Sequence, residues 1–220
     1  MNAPVGATLG FAARLWAETK VLHVQAERSG MMAAILRGRG SRRGHALMLR
    51  NLLPAYVALE EGLQRHRAGP VVGMFARPET YRVEALVSDL ETLEGASWQD
   101  RLALLPEAEA YADAVMQAAE GDGAALIAHA YTRTLGDLSG GQIMQSVLAK
   151  TLGLGPEALA FYRFDGIADI ASYKKQYHRD LDLAGERMGD PARVLAEAME
   201  AFVHNIAVSD AVEAHAAGDA

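Results

Sequence analysis

Hydrophobic side chains recur every three or four residues along almost the whole chain, which is the spacing of a buried helix face. Alternation with a period of two, typical of strands, is not found over any convincing stretch. The first helical face, over residues 11–37, is marked by Phe11, Leu15, Leu22, Ala26 and Ala33. We therefore predict a single all-α domain of seven or eight helices.

Glycine and proline residues mark where the predicted helices begin and end. A loop is expected over residues 38–44, followed by a second helix to about Arg67 with a kink at Pro54. Because proline suits the first turn of a helix, Pro78 and Pro106 should each open one. Later helices should cover residues 124–150, 167–188 and 191–214. We expect residues 1–10 to be flexible, residues 11–214 to form the domain and residues 215–220 to fray.

Three glycines interrupt the predicted helix over residues 124–150. Each should cost about 0.5–1 kcal/mol relative to alanine, so such a helix either bends or lets another group approach its backbone. Gly136 and Gly140 are four residues apart and share one face, while Asp137 and Gly141 form the adjacent row. The pattern predicts a strip without side chains, with a carboxylate at its edge. A kink that packs tightly on a neighbouring helix is the simpler interpretation of these glycines alone.

Composition narrows the class of protein. Half of the 220 residues are hydrophobic and 22% are charged, as in an ordinary globular domain. The formal net charge of −7 argues against nucleic acid as a partner, because phosphate binding requires a basic face. The absence of cysteine excludes disulfides and thiolate ligands. We find no signal-peptide pattern and no apolar run of the roughly 18–20 residues that span a bilayer. We therefore expect a cytoplasmic protein without a membrane anchor.

Among the seven histidines, His23 is the strongest candidate for a metal ligand. Most lone histidines on helices are structural or exposed, and no pair here has the His-x-x-x-His spacing of a zinc protease. Glu27, however, lies one turn after His23 on the same side, and Lys20 lies nearly a turn before it. Together with the glycine strip, this favours a planar ligand that carries its own iron, held between two helices.

Residues 131–142 read Tyr-Thr-Arg-Thr-Leu-Gly-Asp-Leu-Ser-Gly-Gly-Gln, which resembles the signature of the heme oxygenase family. Other parts of the family's pattern follow in order at residues 19–32, 56–61, 128–131, 159–162 and 202–205. The resemblance covers about residues 10–210. It implies the all-α heme oxygenase fold, in which heme lies between a proximal helix and a kinked distal helix.

The resemblance implies an enzyme that uses O2 and electrons to cleave heme b to biliverdin, carbon monoxide and ferrous iron. His23 would be the axial iron ligand. Asp137 would anchor a network of ordered water on the opposite face, with Arg133 and Tyr56 as supporting catalytic members. A carboxylate that acts through one water can supply protons without being a direct acid at the reacting oxygen. The other implied contacts are Gly136 and Gly140 on the heme face, Glu27 and Met32 on the proximal and pocket side, Lys20, Tyr131, Lys174 and His178 at the propionates, and Phe202 and Asn205 at the back of the pocket.

Three positions depart from the pattern of the mammalian members. Trp16 stands in place of a propionate-side lysine, His178 in place of an arginine that helps to fix heme orientation, and Thr134 in place of a tyrosine. The first two reduce the positive charge available to the propionates, since a neutral histidine binds a carboxylate more weakly than arginine does. We expect Lys175 or Arg179 to compensate, and cleavage at the α-meso carbon remains the expected outcome.

The resemblance is to the soluble bacterial type, whose electrons come from a ferredoxin or a flavin reductase. The basic segment over residues 37–43 is either a solvated loop or a docking site for an acidic ferredoxin. A bilin-accepting protein is a further candidate partner. Two other functions compete with the oxygenase. One is a non-catalytic heme carrier or sensor without the distal network, and the other is a thiaminase-like hydrolase, which would require the cysteine that this chain lacks.

Overall fold

The computed structural model describes residues 9–218, which form helices and loops without any strand. The predicted all-α class is therefore confirmed. The α-helices are α1 (Phe11–Arg28), α2 (Gly30–Leu36), α3 (Arg42–Arg65), α4 (Val83–Glu94), α5 (Trp98–Arg101), α6 (Pro106–Ala118), α7 (Leu126–Ala130), α8 (Gly136–Leu152), α9 (Ile170–Arg187) and α10 (Pro191–Gly218). A π-helical turn, Tyr131–Leu135, joins α7 to α8, and 3-10 turns occur at Val72–Phe75, Pro78–Thr80, Pro156–Ala158 and Ala160–Tyr162.

The predicted single helix over residues 11–37 is wrong, because the chain turns at Ser29 and Gly30 between α1 and α2. Gly30 has a φ of +54°, which favours glycine. A Cβ atom on Gly30 would lie 2.3 Å from the carbonyl carbon of Ser209, so α10 leaves no room for a side chain there. The Ser209 Oγ accepts a hydrogen bond from the Met32 backbone N–H at 3.1 Å. This break lets α2 turn towards α8, against which it packs.

Two other boundaries differ from the prediction. The helix α3 begins at Arg42, inside the predicted loop, because the Ser41 Oγ accepts a hydrogen bond from the Gly44 N–H at 3.0 Å and caps the helix. Pro78 opens only a single 3-10 turn, and α4 begins later, at Val83. Its first amide is bound by the Glu60 carboxylate of α3 at 3.0 Å, so a tertiary contact sets this boundary.

The core lies between α3, α4, α6 and α10, and α3 packs against the other three. The helix α1 packs on α10 and on α9, and α10 also contacts the π-helical turn. This arrangement places α10 behind both α1 and the start of α8. The helix α10 continues through residues 215–218. Of the other terminal residues expected to be flexible or frayed, residues 9 and 10 are described and lead directly into α1, whereas 1–8 and 219–220 lie outside the described part.

Candidate functional site

A π-helical turn lies immediately before the glycine strip. The predicted helix over residues 124–150 is continuous in its backbone dihedral angles, but it widens at Tyr131–Leu135 before α8 begins at Gly136. Single π-helical turns of this kind inside α-helices are frequent at functional sites. The turn carries Arg133, and Asp137 follows in the first turn of α8.

The glycines of α8 differ in what surrounds them. A Cβ atom on Gly141 would lie 3.6 Å from the Tyr162 ring, an ordinary packing contact. A Cβ atom on Gly136 or Gly140 would meet no heavy atom of residues 9–218 within 4 Å, apart from its own helix. None of the three adopts a positive φ. Gly141 therefore faces a neighbouring side chain at ordinary contact distance, whereas Gly136 and Gly140 leave open space along one face of α8.

A closed hydrogen-bond triangle borders this open face. The Tyr56 hydroxyl donates to the Asp137 Oδ2 at 2.5 Å, and the Arg133 Nη2 donates to the Asp137 Oδ1 at 3.1 Å. The Arg133 Nε donates to the Tyr56 hydroxyl at 2.8 Å. Tyr56 is only 3% exposed and Asp137 only 9% exposed, so the triangle is almost completely removed from water. The structure thus brings together the three residues that the sequence predicted as catalytic.

The triangle continues to a residue that the sequence analysis missed. The Asn205 Oδ1 accepts a hydrogen bond from the Arg133 Nη1, and the Asn205 Nδ2 donates to the Tyr111 hydroxyl at 3.0 Å. Tyr111 is completely buried in α6 and stacks on the His204 ring at 5.4 Å. No sequence signal distinguishes this tyrosine from an ordinary core residue, since its neighbours on α6 are equally apolar.

Burial and the neighbouring groups shift the pKa of each member of the triangle. Burial raises the pKa of Tyr56 well above its usual value, so this hydroxyl stays protonated. Burial alone would lower the pKa of Arg133, but the nearby Tyr56 and Asp137 outweigh that effect and raise it. Burial also raises the pKa of Asp137, although the Arg133 charge and the Tyr56 hydrogen bond oppose the rise. Asp137 is therefore a carboxylate with an increased affinity for a proton.

His23 lies on α1, and its side chain is half-buried, with 35% of its surface exposed. Its Nδ1 is 3.8 Å from the Glu27 Oε1, which has the predicted direction but is too long for a hydrogen bond. The Phe202 ring contacts the imidazole edge-on at 5.9 Å, and the Trp16 ring does so at 5.6 Å. With Nδ1 turned towards Glu27, Nε2 is the ring nitrogen left for a metal.

Two connections fix α1 relative to the π-helical turn and the start of α8. The Tyr131 hydroxyl lies 3.3 Å from the Thr19 Oγ1, within hydrogen-bond reach. On α10, Phe202 contacts His23 while Asn205, less than one turn later, binds Arg133. The helices α1 and α8 therefore form two walls, with α10 behind them. The exposed apolar side chains of these two helices include Val24 on α1 (40%) and Ile143 on α8 (60%).

The predicted propionate contacts fall at one level of the structure. A Cβ atom on Gly185 would lie 2.3 Å from Phe11, and α9 ends two residues later. The rest of α1 can therefore pack on α9 only in the antiparallel direction. At 1.5 Å per residue, this register brings Lys20 to the level of Lys174 and His178. Lys20 and His178 are exposed, and Lys174 is half-buried.

Comparison with known proteins decides the family. The model of the heme oxygenase family matches residues 9–211. The chain belongs to the heme oxygenase family. Heme oxygenase 1 of Nostoc sp. is 33% identical over 205 residues, which cover 92% of this chain and 85% of that protein. Heme oxygenase 1 of Homo sapiens is 36% identical over 191 residues, and there the match covers 86% of this chain but 66% of the human protein.

Solved structures of the family agree with the fold. Heme oxygenase-1 from the cyanobacterium Synechocystis sp., in complex with heme, superposes with a TM-score of 0.87 at 29% identity and covers 96% of both chains. Heme oxygenase from Leptospira interrogans gives a TM-score of 0.86 at 30% identity, over 92% of this chain and all of the other. The heme oxygenase fold and the enzyme class predicted from the sequence are thereby confirmed. Within residues 9–218, no helix is both long and apolar enough to cross a membrane.

Proposed function

We propose that this chain binds heme between α1 and α8 and, with O2 and external electrons, cleaves it to biliverdin, carbon monoxide and ferrous iron. The open face beside Gly136 and Gly140 carries this proposal, because no backbone angle and no neighbouring atom within residues 9–218 requires glycine at these two positions. A flat macrocycle fits against the bare backbone at Gly136 and Gly140, and it would cover Ile143, which is exposed further along the same face of α8. The heme complexes of the Synechocystis relatives support the assignment.

The proposed axial ligand is the Nε2 atom of His23. The imidazole of a neutral histidine is a common ligand for heme iron, and its second nitrogen usually faces an acceptor. The Glu27 carboxylate lies on that side, 3.8 Å from Nδ1. Heme, when bound, supplies the iron at which O2 is reduced. The side chains of this chain bind the heme, orient it and deliver protons.

Asp137 is proposed to hold ordered water on the opposite face. Tyr56 donates a hydrogen bond to the Asp137 Oδ2 and Arg133 donates one to the Oδ1. Each carboxylate oxygen can accept a second hydrogen bond. Those free sites can accept hydrogen bonds from water in the open space beside α8. Because burial raises the pKa of Asp137, the carboxylate takes up a proton more readily than an exposed one. We propose that it passes protons through such a water, while Arg133 and Tyr56 keep it in place.

The propionates are proposed to lie between α1 and α9, near Lys20 and Lys174. The exposed His178 imidazole can accept or donate a hydrogen bond there. Arg179 donates two hydrogen bonds to the Gln176 side chain of its own helix, at 2.6 and 3.1 Å. Of the two cations considered, Lys175 is therefore our choice for compensation. With the propionates at this end of the cleft, cleavage at the α-meso carbon is the proposed outcome.

The test is to add hemin to the purified apoprotein, then ascorbate or a reductase system in air, and to record the visible spectrum. Loss of the Soret band with growth of a biliverdin band supports the proposal. A Soret band that persists under reduction would instead make the chain a heme carrier, and no Soret shift on adding hemin would refute heme binding. A His23→Ala variant, assayed in parallel, reports whether this histidine is the ligand.

Electrons are proposed to come from an acidic redox protein that docks on the basic segment over residues 37–43. Only some arginines of this segment are available for docking. Arg42 donates to the Thr92 carbonyl at 3.3 Å and Arg43 to the Arg101 carbonyl at 3.2 Å, so both help to hold helix ends together. Arg37 and Arg39 are exposed and are the better targets.

Charge reversal of Arg37 and Arg39 should slow ferredoxin-driven turnover and reduce its dependence on salt. Turnover driven by ascorbate should not change, because that small reductant needs no docking surface. Equal rates for the variant and the parent with the protein donor, at both low and high salt, would exclude this surface.

A further inference from the structure

Trp16 exposes a large aromatic side chain directly beside the proposed iron ligand. It is 52% exposed, whereas the other tryptophan of the chain, Trp98, is only 4% exposed. Trp16 precedes His23 by seven residues, or two helical turns, so both lie on one face of α1. Their ring centroids are 5.6 Å apart with the planes at 65°, which is a favourable edge-to-face contact.

A second ring contacts the same imidazole from another helix. Phe202 of α10 lies 5.9 Å from the His23 ring with the planes at 64°, and it is only 7% exposed. The Glu27 carboxylate, in contrast, is 57% exposed and its distance of 3.8 Å exceeds that of a hydrogen bond. The contacts that define the plane of the imidazole therefore come from two aromatic rings and not from the carboxylate.

We propose that Trp16 is a positioning residue that fixes the plane of the His23 imidazole. The proposal rests on His23 being the iron ligand, as proposed above. Phe202 is anchored in the core and Trp16 on the same helix as His23, so the imidazole cannot turn about its Cβ–Cγ bond without losing one contact. The plane of the His23 imidazole would set the rotational orientation of this ligand relative to the heme. Trp16 thereby sets the orientation of the His23 ring. The lysine that stands at this position in the mammalian pattern has no aromatic ring and could not make this contact.

The test compares the ferric heme complexes of Trp16→Phe, Trp16→Ala and the parent. The paramagnetically shifted heme-methyl signals in NMR report the plane of the axial ligand, and a Soret titration gives heme affinity. Trp16→Ala should change the methyl shift pattern and weaken heme binding about two- to tenfold, the value of one aromatic contact. Trp16→Phe should restore both. Val21→Ala is the matched control, because Val21 is 69% exposed on another face of α1 and should change neither.

Two results would overturn the proposal. One is a Trp16→Ala complex whose methyl shifts and heme affinity equal those of the parent. The other is a Trp16→Lys complex that keeps the parental shift pattern and binds heme more tightly, since position 16 would then act on the propionates. A His23→Ala complex that retains histidine ligation would instead refute the ligand assignment itself. If His23→Ala loses histidine ligation while Trp16→Ala keeps the parental methyl shifts, only the role of Trp16 is refuted.

Discussion

Replacing Gly140 by alanine should stabilise the apoprotein and weaken heme binding, two effects of opposite sign. Gly140 is inside α8 with an ordinary helical conformation, and a Cβ atom there would meet no other part of residues 9–218 within 4 Å. In the absence of ligand, the added methyl group therefore costs no steric energy. It also removes backbone freedom from the unfolded chain, which lowers the entropy cost of folding.

The size of both effects follows from this geometry. Glycine costs about 0.5–1 kcal/mol relative to alanine in a helix interior, so the apoprotein should gain that amount. For a chain of this size, the melting temperature should rise by about 1–4 °C. Heme that lies against the bare strip would meet the new methyl group. Overfilling a closely packed contact costs about 1–3 kcal/mol, so heme affinity should fall about 5- to 150-fold.

The assay combines thermal unfolding of the apoprotein with a Soret titration of hemin. Gly141→Ala is the matched control, because its Cβ atom would lie 3.6 Å from the Tyr162 ring, on the row next to the strip. This control should leave heme affinity within about twofold of the parent. A Gly140→Ala variant that is more stable and binds heme as tightly as the parent would show that no ligand lies against this face. The proposed placement of heme would then be wrong.

Three other changes test separate parts of the account. Asp137→Asn leaves the Arg133 charge unpaired and removes the proton carrier, so hemin should still bind while the biliverdin yield in a single turnover falls about 100-fold or more. A parental yield would contradict the role of the carboxylate. Gly30→Ala forces a side chain into a positive φ and against the Ser209 backbone, which should cost about 2–4 kcal/mol in urea unfolding. Burial lowers the pKa of His45 to about 4 from 6.5, so the unfolded chain binds a proton that the folded chain refuses between these values. Stability should therefore fall by about 3 kcal/mol as the pH drops from 6.5 to 4, and His45→Phe should remove that part of the slope.

Helical periodicity predicted the fold class because each long helix buries one apolar face, and that signal is local. Boundaries set by distant residues were not visible in the sequence. The break at Gly30 depends on the backbone of α10, almost 180 residues later. The start of α4 depends on the Glu60 carboxylate of α3. No pattern near either boundary records these contacts.

The same distinction applies to the site. Gly136, Gly140 and Asp137 were predicted because their spacing within one helix is unusual. Tyr111 was missed because a buried tyrosine on an apolar helix face resembles any core residue, and only the hydrogen bond from Asn205 gives it a place in the network. The spacing of Glu27 from His23 correctly predicted that the two side chains lie on the same side of the helix, but their closest atoms are 3.8 Å apart, too far for a hydrogen bond. Spacing on a helix predicts direction better than distance.

The most direct test of the central claim is to measure the product formed from a defined amount of heme. Apoprotein loaded with one equivalent of hemin would be reduced by ascorbate in air, with catalase present to remove free hydrogen peroxide, and the bilins would be separated by chromatography. The account predicts about one equivalent of biliverdin per heme, mainly the α isomer, together with carbon monoxide and chelatable ferrous iron. Intact heme, or degradation to products without a bilin spectrum, would contradict it.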